Sequence, residues 1–421
     1  MSAEAANLPL RVDAITGSRA DYSLMAPIAR ALARRAGLRV RLVFTGAHHS
    51  DNEKGGLPAL MAKCGVAAAE VPAEGIGRAD EANALALAAM TGGFGRIWAR
   101  ERPDACVLLG DRYELLPPAA IAVLYGIAIA HVFGGEEDVS YCFDTQVRNA
   151  ITKMAHLHLV MHSAMRRRLL DMGEESWRIA VIGNPALENR PRDGGAAFRA
   201  AAAERGWGPP PYIAACYLPP TAVPGCWKGE LEALLAALDA HAGHTIVWAG
   251  VNADPESPAI EARLRAHAAA RGNHVFVANL GATLFASLLE AADAIVGNSS
   301  SGLLEAASHG LPSVTVGIRQ TGRLTNPHAL VVPADPVAIR DALATAIGDA
   351  EFRRRVAEGG NPYLREGAAE AAADFIAAGL RANAAALKLK RALPDNPTEW
   401  MGLKRVPEYP PLAECRAVAG P

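Results

Sequence analysis

One stretch of the chain combines hydroxyl, glycine and acidic residues at a spacing that suits phosphate and ribose binding. Ser299, Ser300 and Ser301 follow a short apolar run, Gly302 comes next, and Glu305 lies three residues further on. The pattern predicts a strand, a tight turn and a helix. Backbone N–H groups at the helix start and the serine hydroxyls can donate to a diphosphate, while the glutamate can accept both hydroxyls of a ribose. We predict a nucleotide-diphosphate site here. The alternative is a turn that only caps a helix.

Three arginines are candidates for phosphate contacts. Arg319 and Arg323 lie in the loop after the predicted strand 313–316, and Arg19 lies in the first strand-to-helix turn. Guanidinium groups form charge-assisted and often bidentate hydrogen bonds with phosphate. We expect these side chains to contact the phosphates, and the alternative for Arg19 is an ordinary surface charge.

Several charged residues follow two apolar segments that are predicted to be buried strands. They are Asp111, Arg112 and Glu114 after residues 105–109, and Glu136, Glu137, Asp138 and Asp144 after residues 128–133. A charged group directly after a buried strand is costly unless it is paired or faces a wet cleft. Carboxylates that converge on one cleft raise each other's pKa values, which suits acid and base work near neutral pH. We predict functional roles for Asp111, Arg112 and Glu114, with a structural ion pair as the alternative. We also predict functional roles for Glu136 and Asp144, and a solvated loop for Glu137 and Asp138.

Two basic side chains extend this group. His48 lies in the polar loop 45–56, which we expect to be exposed, and it becomes a candidate only if carboxylates lie across the cleft. Arg148 follows Asp144 by one helical turn, so the two can pair or share a ligand. Carboxylates alone can bind a metal ion, but no spacing demands one. We predict neither a metal nor a cofactor.

Strand and helix signals alternate in two series along the chain. The predicted fold is α/β, with two Rossmann-like doubly wound domains and a cleft between them. The domains span residues 1–185 and 186–365, and a C-terminal helix with a proline-rich tail covers residues 366–421. Ligands bind beyond the carboxyl ends of such strands, which selects the loops at residues 16–21, 45–56, 110–114, 134–144, 252–257 and 297–302.

The composition and the sequence pattern argue against several classes of binding partner. The chain has 421 residues and a formal net charge of −2, so it has no global attraction to nucleic acid. No apolar run approaches membrane-spanning length, and residues 1–12 lack the regions of a signal peptide, so we predict a cytoplasmic protein without a membrane partner. The six cysteines have no CxxC or histidine-partnered spacing, so we predict neither a zinc site nor a disulfide framework.

Six motifs occur in order along residues 12–335: TGSRADY, GDRYE, FGGE, D-x-x-x-R before AITKMAH, GNSSSGLLEA and RQTGR. Together they resemble the hydrolysing UDP-N-acetylglucosamine 2-epimerases, in the branch that serves sialic-acid-like amino-sugar biosynthesis. The resemblance implies a glycosyltransferase-B-type fold, with the nucleotide held mainly by the second domain and the sugar against the first. It also implies a UDP-sugar substrate and a homo-oligomer, either a dimer or a tetramer.

The resemblance further implies roles for individual residues. The implied contacts to the nucleotide diphosphate are Arg19, Ser23, Arg112, Asn252, Ser299, Ser300, Glu305 and Arg323. The implied catalytic carboxylates are Asp111, Glu136 and Asp144, with His48 and Arg148 beside them. The chain also departs from its relatives: Phe133 stands where they have histidine or glutamate before GGE, and Asn149 and Asn279 replace histidines.

Three functions are compatible with these observations. The first is cleavage of a UDP-activated 2-acetamido sugar with inversion at C2, by elimination of the diphosphate and hydration of the resulting glycal. The second keeps the fold but transfers the sugar to a separate acceptor, because fold alone does not determine the reaction. The third is a nucleotide-sugar-binding regulator without turnover. Turnover separates the third from the others, and dependence on an acceptor separates the second from the first.

Overall fold

The computed structural model describes residues 8–50, 54–77, 80–136, 144–188, 192–221, 223–251, 254, 256–382, 387, 388 and 390. These residues form two compact units. The first contains the described residues of 8–136, 144–186 and 365–390, and the second contains those of 187–364. Each unit is built on one parallel sheet, which confirms the predicted fold class of two α/β domains.

The first unit has a seven-stranded sheet with the order β3-β2-β1-β4-β5-β6-β7. Its strands are β1 (Leu10–Thr16), β2 (Leu38–Phe44), β3 (Ala67–Glu70), β4 (Ala105–Leu109), β5 (Ala128–Val132), β6 (Leu157–Val160) and β7 (Ile179–Val181). Its helices are α1 (Arg19–Ala33), α2 (Leu57–Lys63), α3 (Asp80–Arg100), α4 (Leu116–Tyr125), α5 (Asp144–Met154) and α6 (Ser163–Asp171). The strand order reverses between β1 and β4, so the loops after these two strands lie at the crevice where ligands bind in such sheets.

The central strands of this sheet are buried on both faces, as continuous apolar runs require. All five residues of β4 and all five of β5 are buried, and helices α3 and α4 cover one face with Phe94, Trp98 and Ala119. The boundaries differ slightly from the prediction. Helix α1 begins at Arg19 and is capped by the hydroxyl of Ser18, which accepts from the N–H of Asp21. Strand β5 ends at Val132, because Phe133 has a φ of 68°.

The second unit has a six-stranded parallel sheet with the order β10-β9-β8-β11-β12-β13. Its helices are α7 (Ala196–Arg205), α8 (Trp227–Leu238), α9 (Ser257–Ala269), α10 (Gly281–Ala291), α11 (Ser301–Leu304), α12 (Pro336–Gly348) and α13 (Ala350–Glu358). Its strands are β8 (Tyr212–Cys216), β9 (Thr245–Ala249), β10 (His274–Val277), β11 (Ala292–Gly297), β12 (Ser313–Val316) and β13 (Leu330–Val332). The order reverses between β8 and β11, so the serine-rich turn after β11 begins at the crevice of this sheet.

The C-terminal helix α14 (Ala368–Ala382) belongs to the first unit, although it follows the second unit in sequence. It packs against α1, and Arg35, which follows α1, pairs with Glu370 at 2.7 Å and with Asp374 at 2.6 Å. The remainder of the predicted tail, from residue 391 onward, lies outside the described residues. Among the described residues, no helix combines the length and the apolar character that crossing a membrane requires.

Gly297 marks a position where the two central strands of the second sheet meet closely. Its φ is 132°, and a Cβ atom added there would lie 1.8 Å from the carbonyl oxygen of Cys216. The contact is with backbone, so it cannot be relieved by a rotamer change. We therefore expect Gly297→Ala to lower the free energy of unfolding of this unit by at least about 3 kcal/mol.

The measurement is urea unfolding followed by tryptophan fluorescence, since Trp248 reports on the buried face of β9. Gly243→Ala is the matched control, because a Cβ there meets no atom within 4 Å. The control should change the unfolding free energy by no more than about 0.5 kcal/mol. Equal stability of both variants would contradict the close approach at Gly297.

Candidate active site

Arg148 links the polar groups that follow two neighbouring strands of the first unit. Its side chain is fully buried on α5, and Nη2 pairs with the Asp111 carboxylate, which follows β4. Nη1 donates to the backbone carbonyl of Glu136 at 2.7 Å, and Glu136 follows β5. Asp111 keeps one-fifth of its side-chain surface exposed. A buried guanidinium therefore connects two of the three predicted carboxylate residues, through a side chain in one case and through backbone in the other.

Asp144 is the first residue of α5, and its side chain is partly exposed. The N–H groups of the first helical turn stabilise a negative charge at this position. Arg148 follows one turn later on the same helix, as the sequence spacing predicts. The structure thus brings Asp111, Glu136, Asp144 and Arg148 to the N-terminal end of α5. Glu137 and Asp138, predicted as a solvated loop, lie outside the described residues.

His48 differs from its prediction as an exposed loop residue. It lies in a short 3₁₀ turn after β2 with no exposed surface, and its Nε2 is 3.0 Å from the hydroxyl oxygen of Thr16. The ring packs edge-on against Phe44 at 5.2 Å between centroids. Burial lowers the pKa of His48 to about 3, with His49 and Arg19 adding repulsion. His48 is therefore a neutral, buried side chain that fixes the loops after β1 and β2.

Burial of neutral histidines makes the stability of the fold depend on pH. The pKa values are lowered from 6.5 to about 3 for His48 and His131, and to about 4 for His156 and His274, with burial as the largest cause in each. Below pH 6.5 the unfolded chain binds protons that the folded chain does not, so stability falls as the pH falls through this window.

We expect each of these histidines to remove about 1 kcal/mol of unfolding free energy per pH unit below about pH 6. The measurement is urea unfolding at pH 7.5, 6.5, 5.5 and 5.0, a range in which most carboxylates of the unfolded chain stay ionised. His48→Asn should reduce the slope of unfolding free energy against pH. A flat profile, or a slope that the variant leaves unchanged, would contradict the buried neutral state.

The remaining predicted residues of the first unit lie in α1, which follows β1, and in the loop after β4. Arg19 is the first residue of α1 and is partly exposed, and the hydroxyl of Ser23 donates to the Ala20 carbonyl at 2.7 Å within the same helix. Arg112 follows Asp111, and its Nε donates to Glu114 at 3.2 Å. Glu114 is fully buried. Arg112 is thus held by a buried carboxylate while one-fifth of its side-chain surface stays accessible.

The helix after the serine turn of the second unit is shorter than predicted. Helix α11 has only four residues, and a 3₁₀ turn over Ala306–His309 follows it. Glu305 stands at the junction and not inside a long helix. The macrodipole of so short a helix is small, so the donors available to a ligand are individual N–H and hydroxyl groups. Within the turn, the hydroxyl oxygen of Ser299 accepts from the N–H of Ser301 at 3.3 Å, so this N–H group is already engaged.

Glu305 is the titratable group with the largest pKa shift at this turn. Burial raises its pKa from 4.5 to about 7, and a hydrogen bond with Ser301 opposes the shift. Part of the residue's surface is still accessible. Such a carboxyl group is close to half-protonated at neutral pH. Its ionised form is stabilised when a ligand donates hydrogen bonds to it. Gly302, which lies between Ser301 and this residue, is buried.

Asn298 organises the loops around the serine turn, and sequence reasoning assigned it no role. Its side chain accepts from the N–H of Leu218 and donates to the carbonyl of Leu218, both at 2.7 Å. Its own carbonyl accepts from Gln320 at 2.7 Å and from Arg319 at 3.3 Å. One fully buried residue therefore ties together the loops after β8, β11 and β12.

A side chain of α8 also fixes the loop after β12, which carries the predicted arginines. Glu230 on α8 accepts from the N–H of Ile318 at 3.1 Å and from the hydroxyl of Tyr217 at 2.8 Å. These hydrogen bonds fix the backbone of the loop at Ile318. Arg323 lies in this loop and is partly buried. Asn252, the remaining predicted contact, lies outside the described residues.

One group of side chains in the described part of the chain has the spacing of metal ligands. Asp239, His267 and His274 lie with their ligand atoms within 4.8 Å of one another. The indole N–H of Trp248 donates to Nδ1 of His274, which leaves the proton of the neutral ring on the nitrogen that faces Asp239. Arg271 already pairs with Asp239 at 2.7 Å. The donor set fits a network of ion pairs and does not fit a metal ion.

The fold and the two groups of residues define the class of protein. Two Rossmann-like units, each built on one parallel sheet, are the fold of the glycosyltransferase-B type. The family model described as UDP-N-acetylglucosamine 2-epimerase matches residues 30–377. The chain therefore belongs to the UDP-N-acetylglucosamine 2-epimerase family of enzymes.

Curated relatives of the chain carry related descriptions. Polysialic acid biosynthesis protein P7 of Escherichia coli is 25% identical over 361 residues, which cover 84% of this chain and 90% of that protein. The UDP-N,N'-diacetylbacillosamine 2-epimerase (hydrolyzing) of Legionella pneumophila is 29% identical over 344 residues, covering 80% of this chain and 89% of that protein. The GDP/UDP-N,N'-diacetylbacillosamine 2-epimerase (hydrolyzing) of Campylobacter jejuni is 32% identical over 233 residues, covering 53% and 58%.

Solved structures share the fold at low sequence identity. UDP-GlcNAc 2-epimerase from Neisseria meningitidis bound to UDP-GlcNAc has a TM-score of 0.69 at 14% identity, covering 88% of this chain and 99% of that chain. The enzyme from Methanocaldococcus jannaschii in complex with UDP-GlcNAc and UDP has a TM-score of 0.69 at 16% identity, covering 87% and 99%. These likenesses establish the fold of the chain.

Proposed function

We propose that the protein is a hydrolysing 2-epimerase that converts a UDP-activated 2-acetamido sugar into UDP and the free sugar with inverted C2. The observation that carries this proposal is the contact of buried Arg148 with the Asp111 carboxylate and the Glu136 carbonyl at the start of α5. A protein that only binds a nucleotide sugar has no need for a partly exposed carboxylate that is held by a buried guanidinium in this way. Membership of the family and the names of the hydrolysing relatives agree with the proposal.

The first chemical step is an elimination. A carboxylate removes the proton from C2, the C–H electrons form the C1–C2 double bond, and the C1–O bond electrons leave with the diphosphate. The leaving group gains negative charge, which Ser299, Ser300 and Arg323 would stabilise more strongly in the transition state than in the ground state. Arg19 and Arg112 are further proposed phosphate contacts.

The second step hydrates the glycal. Water adds to C1, its proton passes to a base, and an acid delivers a proton to C2 on the opposite face from the first abstraction. Two carboxyl groups with different pKa values are the minimum that this sequence needs. Asp111, Glu136 and Asp144 are the proposed acid and base groups. Glu305 is proposed to accept the ribose hydroxyls, which would favour its ionised form.

The relatives named for N,N'-diacetylbacillosamine give a reason to consider a second substrate of the same class. That sugar carries a second acetamido group at C4 and a methyl group at C5 in place of the hydroxymethyl group, whereas UDP-N-acetylglucosamine has hydroxyls at C4 and C6. The chemistry at C1 and C2 is the same for both. The choice between the two substrates depends on contacts to C4 and C6, not on the acid and base groups.

The proposal is tested by measuring UDP release from UDP-N-acetylglucosamine and from UDP-N,N'-diacetylbacillosamine, each without an acceptor. Hydrolysing epimerisation predicts release of UDP in equal amount to a free 2-epimerised sugar. Release that occurs only when a sugar or lipid acceptor is added would support a glycosyltransferase and contradict the proposal. Tight binding of both substrates without any UDP release would contradict it in favour of a regulator.

A further inference from the structure

His131 occupies a central position in the sheet of the first unit, and neither the motifs nor the proposed reaction assigns it a role. It lies on β5, paired with Leu108 of β4 on one side and His158 of β6 on the other. The side chain has no exposed surface. A histidine without access to a ligand acts through the groups that it contacts.

Both ring nitrogens of His131 have partners, and the partners determine the tautomer. Nε2 lies 2.7 Å from the backbone carbonyl oxygen of Gly110, and Nδ1 lies 3.1 Å from the hydroxyl oxygen of Thr152. A carbonyl oxygen can only accept, so Nε2 carries the proton. In the neutral ring Nδ1 is then the acceptor for the Thr152 hydroxyl. Burial lowers the pKa of His131 to about 3, which keeps the ring neutral at physiological pH.

The first partner, Gly110, determines the direction in which the chain leaves β4. Its φ is 86°, a left-handed conformation, and its N–H donates to the Val132 carbonyl at 2.9 Å. The His131 ring holds the carbonyl of the same residue, which is the peptide oxygen directly before Asp111. Both polar groups of Gly110 are therefore fixed by β5, and the position of Asp111 follows from them.

The second partner, Thr152, lies on α5 one helical turn after Arg148, and both side chains are fully buried. Arg148 binds the carboxylate of Asp111, while Thr152 is connected through His131 to the backbone before Asp111. The end of β4 and helix α5 are thus joined at two points. One point holds the side chain of Asp111 and the other holds its backbone.

We propose that His131 is a positioning residue. Its neutral ring joins the Gly110 carbonyl to Thr152 and so keeps the Asp111 carboxylate in position to bind Arg148. It touches no substrate and transfers no proton in this role. The inference deepens the proposed function, because it assigns a support for one of the three carboxylates. It rests on that function only for its effect on kcat.

The test compares three variants by steady-state kinetics and by calorimetric UDP binding, which counts folded sites. His131→Leu removes both hydrogen bonds, and His131→Gln restores a donor for the Gly110 carbonyl. His158→Leu is the matched control, since His158 is also fully buried on the adjacent strand but pairs with Glu174 at 2.9 Å. A small displacement of a reacting group costs about 100-fold in rate.

We expect His131→Leu to lower kcat about 100-fold with UDP affinity unchanged, and His131→Gln to recover to within about tenfold of the parent. His158→Leu should lower stability while kcat per UDP-binding site stays near that of the parent. The inference is overturned if His131→Leu retains full kcat, if His131→Gln is as slow as His131→Leu, or if His158→Leu loses kcat to the same extent.

NMR measurements that need no substrate test this inference independently of the proposed function. Backbone amide resonances of Gly110 and Asp111 should move in His131→Leu, return toward the parent in His131→Gln and stay in place in His158→Leu. Histidine ¹⁵N shifts should show the Nε2–H tautomer from pH 8 to pH 5. If the parent protein turns over no UDP sugar, the proposed function fails, and these resonances alone decide on His131. A ring that titrates between pH 8 and pH 5 overturns the inference.

Discussion

Replacing Glu136 with glutamine is expected to lower kcat for UDP release by about 1,000-fold, the size of effect that loss of a general acid or base produces. Glutamine cannot take or deliver the C2 proton, but it has nearly the same shape. The contact of Glu136 with Arg148 uses the backbone carbonyl, which the substitution leaves in place. The fold and the affinity for UDP should therefore change little.

Two comparisons distinguish a role of Glu136 in the chemical step from a structural role. Glu81→Gln, at an exposed position of α3, removes an equal charge from the same unit and should leave kcat unchanged. UDP affinity of the Glu136→Gln variant, measured by calorimetry, should stay within about twofold of the parent if the residue acts only in the chemical step. Loss of turnover and UDP binding together would show that Glu136 is structural.

Replacing Arg148 with leucine should damage both stability and turnover. The buried guanidinium holds the Asp111 carboxylate and the Glu136 carbonyl, so its removal leaves a charge and a carbonyl without their partner. Breaking a buried pair in this way costs about 3–5 kcal/mol of unfolding free energy. We also expect UDP release to become undetectable, because Asp111 loses the group that orients it.

A double substitution distinguishes the lost charge pair from lost packing. Arg148→Leu combined with Asp111→Asn should be more stable than Arg148→Leu alone, since the unpaired carboxylate is gone. Arg167→Leu serves as the control, because its pair with Asp171 is exposed and should contribute no more than about 1 kcal/mol. A single variant at Arg148 as stable as this control, or a double variant no more stable than the single one, would contradict the account.

Much of the fold follows from local pattern. Strands such as Ala105–Leu109 and Thr245–Ala249 have the bounds that their apolar runs predict, because both faces of a parallel sheet are buried. Strand β13 was not predicted, since Leu330–Val332 has only three residues and the middle one is exposed. Its pairing with β12 is a long-range contact that a short sequence window does not contain.

The places of Asp111 and Ser299, two residues after the ends of β4 and β11, were predictable from the sequence. Three other features were not, and two of them depend on tertiary contacts. His48 is buried because Thr16 and Phe44 surround it, although its loop has a polar sequence. Helix α11 ends at Leu304 and a 3₁₀ turn follows it, which Gly310 ends with a φ of 61°. Asn298 forms hydrogen bonds with residues of other loops, and a sequence motif does not reveal such contacts.

The most direct test of the proposed function is proton NMR of the protein with UDP-N-acetylglucosamine in deuterated water, without an acceptor. Elimination followed by hydration predicts free N-acetylmannosamine that carries deuterium at C2, together with UDP, because the proton returned to C2 comes from solvent. A free sugar that retains its original C2 proton, or a released sugar with unchanged configuration at C2, would contradict the proposed mechanism.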